Sequence, residues 1–212
     1  MSLLVSSGKK KVYSTLCLFS DKDLYMELVK NSFFFIRHGE TDWNVEGKFQ
    51  GQTDIPLNNV GLDQAQRSAK VISSLGIDAV FTSPLKRALE TARIVTSSLD
   101  IDIIAEPLLM ECSTEETAKV IYMELAVSNL PSFNYINEKN VEDPDTFITR
   151  TLAGVNNSLK SNANNILIVA HGGTFWAICK RLNIKPFSVP NAQPLRIYLA
   201  ENKMWKYEMI WQ

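Results

Sequence analysis

The 212-residue chain carries 45% apolar residues and a formal charge of -1, the balance of an ordinary soluble globular protein long enough for one sizeable domain. So small a net charge gives no electrostatic case for nucleic acid or an anionic membrane as partner, and any basic site must be local. Three cysteines, Cys17, Cys112 and Cys179, are widely spaced, odd in number and outside any Cys-x-x-Cys or Cys-x-His pattern, which predicts reduced cytoplasmic thiols and neither metal nor redox chemistry.

Residues 1–30 read as an N-terminal extension without visible chemistry. Leu3-Leu4-Val5 precedes Lys9-Lys10-Lys11, the reverse of the charge-then-apolar order of a secretory signal, and no run approaches transmembrane length. A strand over Val12–Phe19 and a short amphipathic helix over Asp21–Lys30 are expected, with Met26 a candidate internal start.

From residue 31 the pattern sharpens. A strand is predicted at Phe33–Arg37, then a loop to Asn59, a helix over Val60–Leu75, a strand at Ala79–Thr82, a helix over Pro84–Ser98 and a strand at Ile101–Ala105. A polar middle holds helical patches at Glu115–Val127 and Asp145–Leu159. It is followed by a strand at Ile166–Ala170, a helix over Gly173–Leu182 and a hairpin of Leu195–Leu199 with Trp205–Ile210. Strands alternating with helices imply an α/β fold, a three-layer sandwich around a mainly parallel central sheet. Trp205 and Trp211 of the hairpin read as packing within the monomer, and no pattern specifies an oligomeric state.

The chain has two histidines, and each ends an apolar run and precedes glycine: Phe33-Phe34-Phe35-Ile36-Arg37-His38-Gly39 and Ile166-Leu167-Ile168-Val169-Ala170-His171-Gly172-Gly173. Short apolar runs of this kind are buried parallel strands, and such sheets bind ligands just beyond their strand C-termini. Both histidines are thus expected on one ligand-binding edge. In the helix at Pro84, Ser83 reads as N-cap and Pro84 as first residue, yet Lys86 and Arg87 occupy a first turn that disfavours cations. A basic residue there makes sense if it faces an anion; Lys86 reads as the solvated member of the pair and Arg87 as the anion-facing one.

These residues suit phosphoryl transfer. A histidine attacks phosphorus through a neutral ring nitrogen, and neighbouring arginines disfavour its protonation. Arg37 and Arg87 offer planar donor forks for phosphate oxygens and His171 a third donor, with the backbone N–H groups of Gly172 and Gly173 as further anion contacts. An alkoxide leaving group needs a proton, for which Glu111, just past the third strand, is the candidate, with Glu106, Glu115 and Glu116 as competitors. Two histidines without clustered carboxylates support no metal site, and Gly47-Lys48-Phe49-Gln50-Gly51 does not match a nucleotide phosphate loop. No metal and no cofactor are therefore expected.

Arg37-His38-Gly39-Glu40-Thr41, Trp43-Asn44, Gly51, Asp54, Leu57, Gly61 and Gln64-Ala65, then Thr82-Ser83-Pro84-Leu85-Lys86-Arg87-Ala88-Leu89-Glu90-Thr91-Ala92, then His171-Gly172-Gly173 occur in one order. The chain resembles the histidine phosphatase superfamily, the phosphoglycerate mutase-like proteins, over residues 32–211. The resemblance implies a phosphoglycerate mutase-like domain at 31–212, with His38 as the nucleophile that becomes phosphorylated, Arg37, Arg87 and His171 completing its pocket, and Glu111 as proton donor. It also places Asn44 on the phosphoryl group and Gln50, Gly51 or Thr53 near substrate; Trp43, Phe49, Phe175 and Trp176 read more readily as packing than as substrate flanks.

Two departures stand out. Many relatives carry Gly-x-Trp-Glu-Gly after the acid, where this chain has Cys112-Ser113-Thr114-Glu115-Glu116-Thr117, and the Glu-Ser they carry before the later helix is expected to be replaced by Asp143-Pro144-Asp145. Between Glu111 and Asp145 the cations are only Lys119 and Lys139, and the third motif runs Gly173-Thr174-Phe175-Trp176, which favours hydrolysis of a small phosphorylated metabolite over phosphoglycerate mutation. A phosphate-binding protein that has lost turnover is the other alternative, opposed by the complete His38, Arg37, Arg87 and His171 set.

Overall fold

In a computed structural model that describes residues 28–30, 32–125 and 142–210, the chain runs β1 (Ser32–Arg37), α1 (Asp42–Val45), α2 (Asn59–Ile72), β2 (Ala79–Thr82), α3 (Lys86–Val95) and β3 (Ile103–Ala105). After a 3-10 turn at Pro107–Leu109 come α4 (Glu115–Glu124), α5 (Pro144–Leu159), β4 (Ile166–Ala170), α6 (Gly172–Leu182), β5 (Pro194–Leu199) and β6 (Trp205–Met209). The expected strand Val12–Phe19, most of the helix Asp21–Lys30, Cys17, Trp211 and the end of the patch at Glu115–Val127 lie outside the described residues.

The six strands form one sheet in the order β3-β2-β4-β1-β5-β6. The first four are parallel, and β5 and β6 add antiparallel at one end. Alternation along β1 and β4 sorts their side chains onto two faces, as the two-residue period of a strand requires. Phe33, Phe35, Ile166, Ile168 and Ala170 pack with Val155, Leu159, Phe175 and Ile178 of α5 and α6. Phe34, Ile36, Leu167 and Val169 pack with Ala65 and Ile72 of α2 and Ala88, Ala92 and Val95 of α3. Helices on both faces make the expected three-layer α/β sandwich. A third cluster, with Phe49, Ala118, Ile121, Phe147 and Trp176, seats α4 and α5 beside α6 beyond the sheet edge. None of the helices among the described residues is long and apolar enough to cross a membrane.

One expectation fails in a way that bears on the site. Ser83 and Pro84 do not open α3; Leu85 is its N-cap, without a side-chain cap bond, and the helix starts at Lys86. Asp54 of the preceding loop does the capping, since its Oδ1 accepts from Lys86 N at 2.7 Å and its Oδ2 pairs with Lys86 Nζ at 3.4 Å. A carboxylate at that helix end offsets the dipole that Lys86 opposes. Ser83 is thereby released for another partner.

Candidate active site

β1 and β4 are adjacent and in register at their ends, with Arg37 opposite Ala170 and His38 N donating to Ala170 O at 2.9 Å. The next residue on each strand is a histidine, and their ring centroids lie 5.3 Å apart. The turn after β1 packs backbone to backbone against the start of α2: a Cβ on Gly39 would lie 2.6 Å from Gly61 O, and one on Gly61 2.1 Å from Glu40 O. Only two glycines allow that approach. Thr91 ties the turn to α3 by accepting from Gly39 N at 2.9 Å while donating to Arg87 O at 2.6 Å.

The proton position on the His38 ring follows from its partner. His38 Nδ1 lies 2.7 Å from Gly39 O; a carbonyl only accepts, so Nδ1 carries the proton and Nε2 keeps its lone pair. Burial, then the guanidinium groups of Arg87 and Arg37, hold the His38 pKa well below the ordinary histidine value. His171 is lowered in the same way, by burial first and by Arg87 next. Its Nε2 lies 2.8 Å from Ser83 Oγ, a hydroxyl that also accepts from Leu85 N at 3.4 Å; in the tautomer in which that hydroxyl donates to Nε2, the His171 proton sits on Nδ1.

Arg87 is buried, and its terminal nitrogens donate to Gly51 O at 2.8 Å and Thr53 O at 2.9 Å. Arg37 Nη1 donates to Val189 O at 2.9 Å. Burial lowers the pKa of Arg37 and brings that of Arg87 to about 10, so both stay charged at neutral pH. Three buried nitrogens of this cluster, Arg37 Nε, Arg87 Nε and His171 Nδ1, have no hydrogen-bond partner. Unpaired buried donors are costly and rare, and the two guanidinium Nε groups, on residues that line one cavity with His38, suit an anion with several acceptor oxygens.

Arg37 and Arg87 line a cavity of about 370 Å³ together with His38, Glu111, Asn44, Gln50, Gly51 and Gly172 among others; His171 is not in its lining, and its ring lies 5.3 Å from that of His38. Glu111 is held over Gly173: its Oε2 accepts from Gly173 N at 3.1 Å and its Oε1 from Cys112 N at 2.9 Å. The Gly173 N–H is therefore spent on the carboxylate and is not the anion contact expected of it. Gly172 does line the cavity. The competing carboxylates are elsewhere: Glu106 caps the 3-10 turn, Glu115 pairs with Lys119, and Glu116 is exposed.

Asn44 sits in a capping box with Thr41, whose backbone N–H and hydroxyl both donate to Asn44 Oδ1, at 3.2 and 3.1 Å, which turns its amide NH2 outward as a donor. Gln50 is buried in the wall with Oε1 unpartnered. Thr53 does not reach the cavity; its contribution is the carbonyl that anchors Arg87, and its side chain is exposed. Trp43 and Phe49 line the cavity, whereas Phe175 and Trp176 belong to the apolar clusters. Tyr122, Ser188 and Asn191 line it as well and are unmarked by any local pattern. Asn191 Nδ2 donates to His38 O at 2.9 Å, and Ala192, at φ +50°, donates to Arg37 O at 2.9 Å. Among the described residues no three His, Cys, Asp or Glu side chains converge as metal ligands.

Where the Glu-Ser of relatives is expected to be replaced by Asp143-Pro144-Asp145, Asp143 is the N-cap of α5, accepting from Thr146 N at 2.7 Å, with Pro144 as the first residue of the helix.

The model of the histidine phosphatase superfamily (branch 1) matches residues 33–202. The uncharacterized phosphatase PhoE of Bacillus subtilis (strain 168) is 33% identical over 176 residues, covering 81% of this chain and 89% of that protein. The phosphoglycerate mutase-like protein 4 of Arabidopsis thaliana is 30% identical, over 77% of this chain and 74% of that one. Among solved structures, a mycobacterial glucosyl-3-phosphoglycerate phosphatase complexed with VO3 shares the fold with a TM-score of 0.67 at 20% identity, over 85% of this chain and 98% of that one. A phosphoglycerate mutase from Bacillus anthracis str. Sterne does so with 0.66 at 21%, over 85% and 92%.

Proposed function

Because the chain belongs to the histidine phosphatase superfamily, branch 1, we propose that residues 31–212 form a phosphomonoesterase that cleaves a small phosphorylated metabolite through a phosphohistidine on His38. The observation that carries the reading is the pair of buried, unpartnered guanidinium Nε donors on Arg37 and Arg87 in the cavity that His38 also lines, together with a His38 Nδ1 fixed as donor so that Nε2 is the free nucleophile.

Three phosphoryl oxygens accept from the arginine pair, His171 Nδ1 and the Asn44 amide, which aligns the phosphorus with His38 Nε2. As the P–N bond forms and the P–O bond breaks, the negative charge spreads over oxygens already facing fixed cations, the step at which preorganised donors contribute most. Glu111, held by Gly173 and Cys112 N–H groups, passes a proton to the departing alcohol. Water then attacks phosphorus, the same carboxylate takes its proton, the P–N bond breaks, and phosphate and neutral His38 are restored.

Beside Arg37 and Arg87, Lys48 is the further cation of the wall among the described residues, and it pairs with Glu46 and lies over the Trp43 ring, so the described wall adds no second cation cluster for returning a phosphoryl group to an acidic product. This supports hydrolysis over mutation. Cys112 and Cys179 are buried, and burial holds the Cys112 thiol well above its ordinary value and that of Cys179 at about 12; we assign the protein to the reducing cytoplasm, where such thiols persist.

The test is a phosphate-labelled monoester mixed with the protein and quenched in base. Label on the His38 peptide that is lost in acid, with phosphate released and no label in His38→Ala, is expected; full turnover by His38→Ala would sink the mechanism.

A further inference from the structure

The loop that carries Glu111 is held by a charged pair outside the cavity. Arg150 of α5 places all five of its N–H groups: Nε on Glu142 Oε1 at 2.7 Å, Nη2 on Glu142 Oε2 at 3.1 Å and Glu111 O at 3.3 Å, and Nη1 on Leu108 O at 2.8 Å and Met110 O at 2.9 Å. Glu142 Oε2 reaches past the arginine to accept from Ser113 N at 3.0 Å. Its carbonyl accepts from the hydroxyls of Thr114 and Thr117.

The backbone from Leu108 to Thr114 is thus hydrogen-bonded on both sides of Glu111 to one ion pair. One turn along α5, a Cβ on Gly154 would lie 2.9 Å from Leu108 Cβ, so the helix seats directly on the same loop. The pair is largely buried, at 18% and 11% side-chain exposure. A buried ion pair is weak as a source of stability, because desolvation offsets the attraction, and it is better explained by what it positions. Neither Arg150 nor Glu142 lines the cavity.

We propose that Arg150 and Glu142 are positioning residues that set the reach of the Glu111 carboxyl to the leaving oxygen. The proposal rests on the reading of Glu111 as the acid. A guanidinium is required because a planar five-donor group meets three carbonyls and a carboxylate at once; an ammonium cannot.

The test compares first-turnover alcohol release from p-nitrophenyl phosphate, whose leaving group needs no proton, and from an alkyl phosphate, whose leaving group does. Glu111→Gln should slow the alkyl ester by about 10²-fold or more and spare the aryl ester. Arg150→Ala should show the same selectivity at about 10- to 100-fold, with millimolar guanidinium restoring part of the alkyl rate and Arg150→Lys restoring little. A merely structural defect would lower both esters together. Should Arg150→Ala fail to fold, Glu142→Gln, which keeps the shape and removes the charge, takes its place with the same expected selectivity. Equal loss of both esters in the Arg150 and Glu142 variants beside a selective Glu111→Gln overturns the positioning role alone. A Glu111→Gln that is itself unselective overturns the acid, and the positioning role with it.

Discussion

A methyl group at Gly173 is the cleanest way to move Glu111, the proposed acid, without touching its chemistry. In Gly173→Ala the new Cβ would lie 2.1 Å from Glu111 Oε1, 3.0 Å from its Cδ and 3.2 Å from Ile121 Cδ1. Carbon–oxygen contact is comfortable only beyond about 3.4 Å, so the carboxylate must retreat by more than about 1 Å. It then gives up the 2.9 Å bond from Cys112 N or the 3.1 Å bond from Gly173 N. The clash falls on the far end of a flexible side chain, and alanine suits a helical position better than glycine by up to about 1 kcal/mol, so the fold should hold. A 1 Å displacement of a catalytic group costs on the order of 10²-fold. Steady-state kcat/KM, which reports formation of the phosphoenzyme, should fall by about that factor for an alkyl phosphate and by less than about threefold for p-nitrophenyl phosphate. Equal losses for both esters, or an unchanged alkyl rate, would refute the assignment of Glu111 and the geometry that places it.

Gly61→Ala meets backbone, with Glu40 O 2.1 Å and Glu40 N 2.7 Å away; neither can yield, and chemical denaturation should show a loss of about 3 kcal/mol or more. Ser83→Ala removes the hydroxyl hydrogen-bonded to His171 Nε2, and kcat should fall about tenfold, the weight of one buried hydrogen bond, with the melting temperature little changed. His38 and His171 are neutral in the fold with lowered pKa values, so below about pH 6.5 the unfolded chain binds protons that the folded one does not. Their contribution to stability is intact above that pH and is lost as pH falls toward the folded values, by up to about 1.4 kcal/mol per histidine per pH unit. Denaturation midpoints at pH 7.5, 6.5 and 5.5 should show this slope reduced in His38→Gln; an identical slope would mean that the ring is protonated in the fold.

The strands that build the sheet were legible because burial on two faces leaves an unbroken apolar run, and β1 and β4 show one each. The histidines were legible because each ends such a run. The start of α3 was misread because Ser83 and Pro84 carry the usual signs of a helix cap, while here the serine serves His171 and Asp54, 32 residues earlier in sequence, does the capping. Asn191 reaches His38 across 153 positions and Arg150 reaches Glu111 across 39. No periodicity or spacing rule spans such distances; only the completed packing of α5 and of the segment before β5 brings these groups to the site. Glu142 carries no local signature either, since its partners Arg150 and Ser113 lie 8 and 29 positions away.

The position of β1 in the sheet reaches into how the protein is made. The strand that ends at His38 comes early in the described chain, yet its neighbours on either side are β4 and β5, residues 166–199. During synthesis β1 has no strand to pair with until most of the chain has been translated, so its four consecutive apolar residues spend that interval without a sheet, the state in which aggregation competes with folding. Phosphatase activity is not expected of a fragment that ends before β4, because the strand that carries His38 and the strand that carries His171 are neighbours in the sheet but far apart in sequence. Recovery of turnover on refolding is therefore a reporter of complete topology, and it should lag behind the return of helical signal.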